Sequence, residues 1–221
     1  MLFRSMISDF KNKKILLISP HPDDIEIGMG GTAVLLSRKN KLSHITCTNG
    51  SGSYNNYKNK EILVKKRRKE ALESNKFLNI SGNFFYDIDN VKSRKNIAEF
   101  ERNIKCDIAK IKPDILFCPH PTLDRHATHR KISKSILKII NSSNIRVFFY
   151  EVWGPFNKYH YYVDIGDVIK EKIKLIKFHK SQMSYKNYVK GIIGLNTFHA
   201  KFNDFGKNNL EFIEVFIEKT I

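Results

Sequence analysis

The chain has few of the residues that staple or punctuate a fold. Its cysteines number three, Cys47, Cys106 and Cys118, far apart and without a Cys-x-x-Cys pair, which argues against a disulfide framework. They read as thiols of a reduced, cytoplasmic protein, acting as small hydrophobes. Long hydrophobic runs are also missing. The first apolar run, 15–19, is too short for a secretory signal core and leads into a polar motif, and no stretch is long enough to span a bilayer. Acidic residues are scarce, 22 against 39 Lys and Arg, for a net charge of +17. Such an excess can mark a polyanionic partner. Here Lys far outnumbers Arg, Ile and Asn are abundant, and no nucleic-acid-binding motif accompanies the charge. The surplus therefore reads as solvated lysines in the product of an AT-rich genome; nucleic acid is not an expected partner, while an anionic substrate stays compatible.

With 41% hydrophobic and 12% aromatic residues in 221, the chain can bury the core of a single globular domain, 1–221. Apolar runs bounded by turn residues predict strands over 14–19, 42–48, 84–86, 114–118 and 146–150. Helical periodicity falls between them, over 59–78, 96–111, 125–140 and 165–179, with a further helical stretch opening at Gly30-Gly31-Thr32. The turn-rich Asn49 to Tyr54 closes the second strand. This alternation predicts a Rossmann-like α/β fold, a mostly parallel sheet with helices on both faces. No internal repeat, low-complexity tract or linker interrupts it.

Three features ask for partners. On the 59–78 helix, Arg67 shares the apolar face of Val64, Ala71, Ser74 and Leu78. An inward guanidinium must meet a carboxylate or an anionic ligand, because an unpaired buried charge is costly. The 165–179 helix sets Ile165, Ile169, Ile173 and Ile176 against Lys170, Lys172, Lys174 and Lys177, the pattern of a core-facing helix with a solvated back. Gly30-Gly31-Thr32 lacks the Lys of a P-loop and the spacing of a dinucleotide fingerprint, so close helix packing is its expected role.

In open α/β sheets, sites form where strands end. Ser19-Pro-His21-Pro-Asp23-Asp24 directly follows the first strand, and Pro119-His120-Pro-Thr-Leu-Asp124-Arg-His126-Ala-Thr-His129 follows the 114–118 strand. Histidines and carboxylates at two strand ends are what a catalytic zinc site requires, since zinc takes His nitrogen and carboxylate oxygen and keeps one position for water. His21, Asp24 and His129 can supply three ligands, leaving Asp23 to take a proton from the bound water. His126, three residues before His129, would then stand beside the metal as an acid or electrostatic donor. Iron(II) suits two His and one carboxylate equally well, so the donors leave zinc and iron(II) open. His44, His160 and His199 read as ordinary residues, His120 as a strand-end residue behind the ligands rather than one of them, and His179 as a helix-end cap.

His21-Pro-Asp-Asp-Ile-Glu-Ile-Gly-Met-Gly-Gly-Thr32 resembles the opening signature of the PIG-L/LmbE-like zinc de-N-acetylases, and Asp124-Arg-His-Ala-Thr-His129 resembles their second signature. Thr48-Asn-Gly50, Arg67 with Glu70, His179-Lys-Ser-Gln182 and Phe212-Ile-Glu-Val-Phe216 are similar in chain order. The resemblance implies removal of an N-acetyl group from an amino-sugar substrate of the N-acetylglucosamine type, free or linked to a nucleotide or lipid. It assigns His21, Asp24 and His129 to zinc, Asp23 to base catalysis, His126 to the oxyanion or leaving group, and Arg67 and His179 to substrate binding. Where the family often has an Asp between the two histidines, this chain has Thr128. His126 then lacks a charged partner, which lowers the expected pKa of its imidazole, unless Asp124 compensates. The alternatives are deacylation of a different amide, and a non-catalytic basic module for polyanionic glycan or nucleic acid.

Overall fold

A computed structural model describes residues 4–5, 10–53, 59–203 and 209–219. Tyr54, the end of the turn expected after the second strand, lies outside them. Eight strands form one sheet: β1 (Arg4–Ser5), β2 (Lys14–Ser19), β3 (Lys41–Thr48), β4 (Gly82–Ile88), β5 (Ile115–Pro119), β6 (Arg146–Tyr150), β7 (Tyr161–Asp164) and β8 (Ile213–Glu218). Their order is β1-β7-β8-β6-β5-β2-β3-β4. The central pairings β6-β5-β2-β3-β4 are all parallel, and only β8 runs antiparallel to its neighbours β6 and β7.

The helices are α1 (Asp24–Ser37), α2 (Lys60–Phe77), α3 (Arg94–Ile111), α4 (Ala127–Ile139), α5 (Ile169–Phe178), α6 (Lys180–Met183) and α7 (Tyr188–Phe202). Local chemistry sets several of their ends. Asn59 caps α2 by accepting from the backbone N–H of Glu61 and Ile62, and Ser93 caps α3 through Asn96 N–H. The strand β2 is buried along all but its first residue, as a strand covered on both faces must be. Alternate residues feed two cores. Leu16, Ile18, Leu116 and Cys118 pack with Phe100, Ile104, Ile132 and Ile136 of α3 and α4. On the other face, Ile15, Leu17, Ile115 and Phe117 pack with Ile25, Met29, Ala33 and Leu175 of α1 and α5.

The predicted fold class is the one observed, with three local corrections. First, α1 begins at Asp24, not Gly30; backbone angles at Met29 (φ −144°, ψ 27°) kink it and start a second helical segment at the glycines. Second, Lys172 is not solvated but fully buried. Third, β1, β7, β8, α6 and α7 are elements that the sequence pattern does not announce. The sheet places the ends of β2, β3, β5 and β6 side by side, with β2 between β5 and β3, where successive connections leave in opposite directions. That is the place where an open α/β sheet forms a crevice.

Candidate active site

The loop after β2 is held tightly. Thr48 donates both its N–H and its hydroxyl to the Pro20 carbonyl, and Tyr150 donates its hydroxyl to the Ile18 carbonyl. His21 N–H donates to Asp24 Oδ2 at 2.7 Å, so the loop closes on the carboxylate that opens α1. The same oxygen lies 3.2 Å from His21 Nδ1 and 3.2 Å from His129 Nε2, and these two nitrogens are 3.0 Å apart.

This triangle contains more acceptors than protons. On its other side the His129 ring meets Asp124, with Nδ1 at 3.1 Å from Oδ2. A neutral His129 that gives its proton to Asp124 turns a lone pair toward Asp24 and His21. A proton, on His21 Nδ1 or on His129 Nε2, or a cation then sits among the three atoms. Donors bound tetrahedrally at zinc distances lie about 3.3 Å apart, close to the spacing seen, so the residues fit a metal ion. Without one, burial acts to lower the His129 pKa but is overcome by Asp24 and Asp124, which push it up to about 10. Burial likewise acts to raise Asp24, and is outweighed by His129 and His21, which hold it well below the carboxylate range.

His126 is the N-cap residue of α4. Its ring centroid is 4.8 Å from that of His21 and 4.7 Å from that of His129, and one nitrogen of each of the three rings falls within 4.8 Å of the others. It therefore borders the tighter triangle. Burial, then the neighbouring His21 and His129, push its pKa down to about 4. Asp124 acts in the opposite direction but is outweighed: it accepts from the His126 backbone N–H at 2.7 Å and turns its other oxygen to His129. The half-buried Thr128 forms no side-chain hydrogen bond among the described residues.

Asp23 caps α1 by position, yet its side chain turns away from the helix and accepts from Arg67 Nη2 at 2.7 Å. The inward Arg67, 3% exposed, thus finds its carboxylate within the protein. Its Nη1 donates to the Gly50 carbonyl at 3.0 Å. Gly50 has φ +70°, and a Cβ there would lie 2.6 Å from Arg67 Nη1, so a left-handed glycine makes room for the guanidinium. Glu70, one turn on, accepts from Ser181 N–H and Oγ, tying α2 to α6. His179 is buried rather than open to solvent, with Nε2 3.3 Å from Glu26 Oε1, an oxygen that also accepts from Ser74. Burial acts to lower the His179 pKa, and Glu26 overcomes it and raises it.

Sequence reasoning missed two kinds of residue. Trp153 and Tyr188 stand at the mouth, the Trp153 ring 6.4 Å from His126 and 6.2 Å from Tyr188. Trp153 is 39% exposed and lies in the loop after β6. Its place at a strand end was the only sequence signal available. Behind the site, Glu214 of β8 accepts from Gly31 N–H, Thr32 N–H and Lys172 Nζ at 3.0, 2.7 and 2.6 Å. The anion at these glycines is thus a protein carboxylate, and Gly31 packs against Ile165, where a Cβ would come within 2.7 Å.

The chain is 29% identical over 192 residues, 77% of its length and 70% of the relative's, to the diacetylchitobiose deacetylase of Thermococcus kodakarensis. Its fold is similar to that of the N,N'-diacetylchitobiose deacetylase from Pyrococcus horikoshii, solved with an inhibitor (TM-score 0.80, 24% identity, 96% of this chain and 85% of that one). It is also similar in fold to GalB, the 4-carboxy-2-hydroxymuconate hydratase of Pseudomonas putida KT2440 (TM-score 0.75, 15% identity, 96% and 97% covered). The fold alone therefore spans more than one chemistry. The PIG-L family model, that of GlcNAc-PI de-N-acetylase, matches residues 16–140, a span holding His21, Asp23, Asp24, His126 and His129, and the chain belongs to the PIG-L family.

Proposed function

We propose that this protein is a zinc-dependent hydrolase that removes the acetyl group from the nitrogen of an amino sugar. The observation that carries the reading is the triangle of His21 Nδ1, Asp24 Oδ2 and His129 Nε2, three acceptors within 3.2 Å of one another, beside a carboxylate, Asp23, that is not part of it. Family membership and the deacetylase relatives supply the reaction class. The three unpaired thiols support a cytoplasmic setting.

His21, Asp24 and His129 would hold a zinc ion, which would supply a Lewis acid and a water of lowered pKa. Asp124 fixes the tautomer and orientation of the His129 ring. Arg67 holds one oxygen of Asp23, so that the other is presented to the attacking water. As the water oxygen bonds to the amide carbonyl carbon, its proton passes to Asp23. The carbonyl electron pair moves to oxygen, where neutral His126 donates a hydrogen bond to the developing charge. When the C–N bond breaks, Asp23 returns the proton to the departing nitrogen, giving acetate and a free amine. In this reading Arg67 and His179 serve the substrate indirectly, as positioning residues behind Asp23 and Glu26.

The test combines metal analysis of the purified protein with acetate release from free N-acetylglucosamine, N,N'-diacetylchitobiose, and nucleotide-linked and lipid-linked N-acetylglucosamine. About one zinc per chain and acetate from at least one compound are expected. A folded, metal-loaded protein that releases acetate from none of them defeats the proposal.

A further inference from the structure

The loop that leads into His126 also borders a concavity that none of the residues discussed above fills. It is a groove of about 460 Å³ lined by Leu123, Arg125, Gly154, Pro155, Asn157 and Lys158. One wall is the loop that leads into His126 and the other is the loop that follows Trp153. Gly154 lets the two walls meet, since a Cβ there would come within 2.9 Å of the Leu123 carbonyl. Leu123, 50% exposed, and Pro155 give the groove an apolar edge, and Trp153, next to Gly154 in the chain, is 39% exposed, a ring that suits a sugar face.

The charge of the groove is one-sided. Arg125 and Lys158 are exposed, and neither has an ion pair among the described residues. No acidic side chain lines it. The nearest carboxylates in sequence are spent elsewhere, Asp124 on His129 and the His126 N–H, and Glu151 on His199 and the Phe156 N–H. A guanidinium and an ammonium, which only donate, and the Asn157 amide, which can also donate, surround one hollow that holds no carboxylate, the complement of a phosphate.

Position links this hollow to the reaction. In a 2-acetamido sugar the reacting nitrogen is on C2 and any carrier is attached to the adjacent C1. A carrier subsite must therefore adjoin the catalytic centre within the width of one ring. Arg125 precedes His126 in the chain, and the Trp153 ring lies 6.4 Å from the His126 ring. We infer that the groove between the Leu123–Arg125 and Trp153–Lys158 segments is the subsite for the C1 substituent, and that it selects an amino sugar bearing a phosphate there. The inference rests on the deacetylase reading for the orientation of the sugar, and on the groove itself for the anion.

The test compares methyl N-acetylglucosaminide, N-acetylglucosamine 1-phosphate and UDP-N-acetylglucosamine on the zinc-loaded full chain. Binding is followed by calorimetry and turnover by acetate release. The wild type is expected to favour a phosphate compound over the methyl glycoside by about tenfold or more in Kd and in kcat/KM. That ratio should fall toward one in Arg125→Ala/Lys158→Ala and with rising salt. Preference for the 1-phosphate points to a monoester, and preference for the UDP compound to a diphosphate; either supports the subsite. Lys138→Ala, on the exposed end of α4, controls for net charge and should leave the ratio in place. Equal affinity for charged and uncharged compounds, or a preference that survives the double substitution, overturns the inference. Absence of acetate from every compound defeats the deacetylase reading instead, while the binding ratio still decides the groove.

Discussion

The helix α1 carries a buried ionic cluster on either side of its kink, and the two are built on opposite principles. Beyond the kink, the Glu214 carboxylate receives Gly31 N–H, Thr32 N–H and Lys172 Nζ, and Lys172 also donates to Asn196. Before the kink, Asp24 faces two imidazole nitrogens that already face each other. The first cluster is closed, since donors and acceptors match and nothing remains to bind. The second closes only when a proton or a cation is shared among the three atoms, which leaves it a place for an ion. Both hold a carboxylate that is almost wholly buried, so the balance of donors against acceptors is what would separate a structural ion pair from a ligand site.

The comparison breaks most sharply at the metal. His129→Ala should remove the ion and lower kcat/KM by about 10³-fold or more, because both the Lewis acid and the activated water go with it. Metal content measured on the folded variant checks this, and unchanged stoichiometry in both His21→Ala and His129→Ala would show that the triangle is not the site. Asp23→Asn sharpens the same point from inside the open cluster. It should keep the metal and lose about 10²–10⁴-fold in kcat/KM, and near-normal turnover would exclude Asp23 as the base.

In the closed cluster the loss should be of stability alone. Lys172→Met leaves a buried carboxylate without its cation, which costs about 3–5 kcal/mol. A fall in the denaturant midpoint at unchanged metal stoichiometry is the expected result. Should Lys172→Met empty the metal site while the fold survives, the two clusters are coupled through α1 and the division drawn between them is wrong.

The two clusters also differed in how far they could be read from the chain. The open cluster was legible because its members sit within a few residues of one another, in two loops after two apolar strands. The 3.2 Å triangle then follows from β2 and β5 being adjacent and parallel. The closed cluster joins residues 31, 172, 196 and 214, and no local pattern announces such a meeting. Lys172 in particular sits in a helix where lysines alternate with isoleucines, so periodicity assigned it to solvent. It is buried because β8, unrecognised as a strand, brings Glu214 to it. Arg67 lay between these cases: its inward direction followed from helical spacing, but Asp23, 44 residues away, was only one of the partners open to it. Helix ends were legible to within a few residues where apolar periodicity starts and stops sharply, as in α2, α3 and α4. The start of α1 was missed because Met29 interrupts it and the glycines beyond look like a beginning.

The smallest expected effect concerns Thr128, and it decides how His126 works. The sequence predicted a lowered imidazole pKa for want of an Asp at that position. The structure lowers it to about 4 for a different reason, burial together with the charges of His21 and His129, and a bound cation would act with the same sign. His126 is then neutral near pH 7, and in the proposed mechanism it acts as a hydrogen-bond donor, so His126→Ala should cost about 10²-fold in kcat at every pH in the neutral range. Thr128→Asp adds a carboxylate two residues away, which raises the His126 pKa. Because Thr128 is only half-buried, solvent screens that carboxylate, and the shift should leave the imidazole neutral above about pH 6. Activity between pH 6 and 9 should therefore change by less than about threefold, and the alkaline limb should stay where it is. The His126→Ala background supplies the control, since Thr128→Asp should do nothing more there if it acts through the ring. An alkaline limb that moves up by a full pH unit in Thr128→Asp, and only when His126 is present, would mean that the imidazolium delivers the proton to the amine, and would take that step away from Asp23.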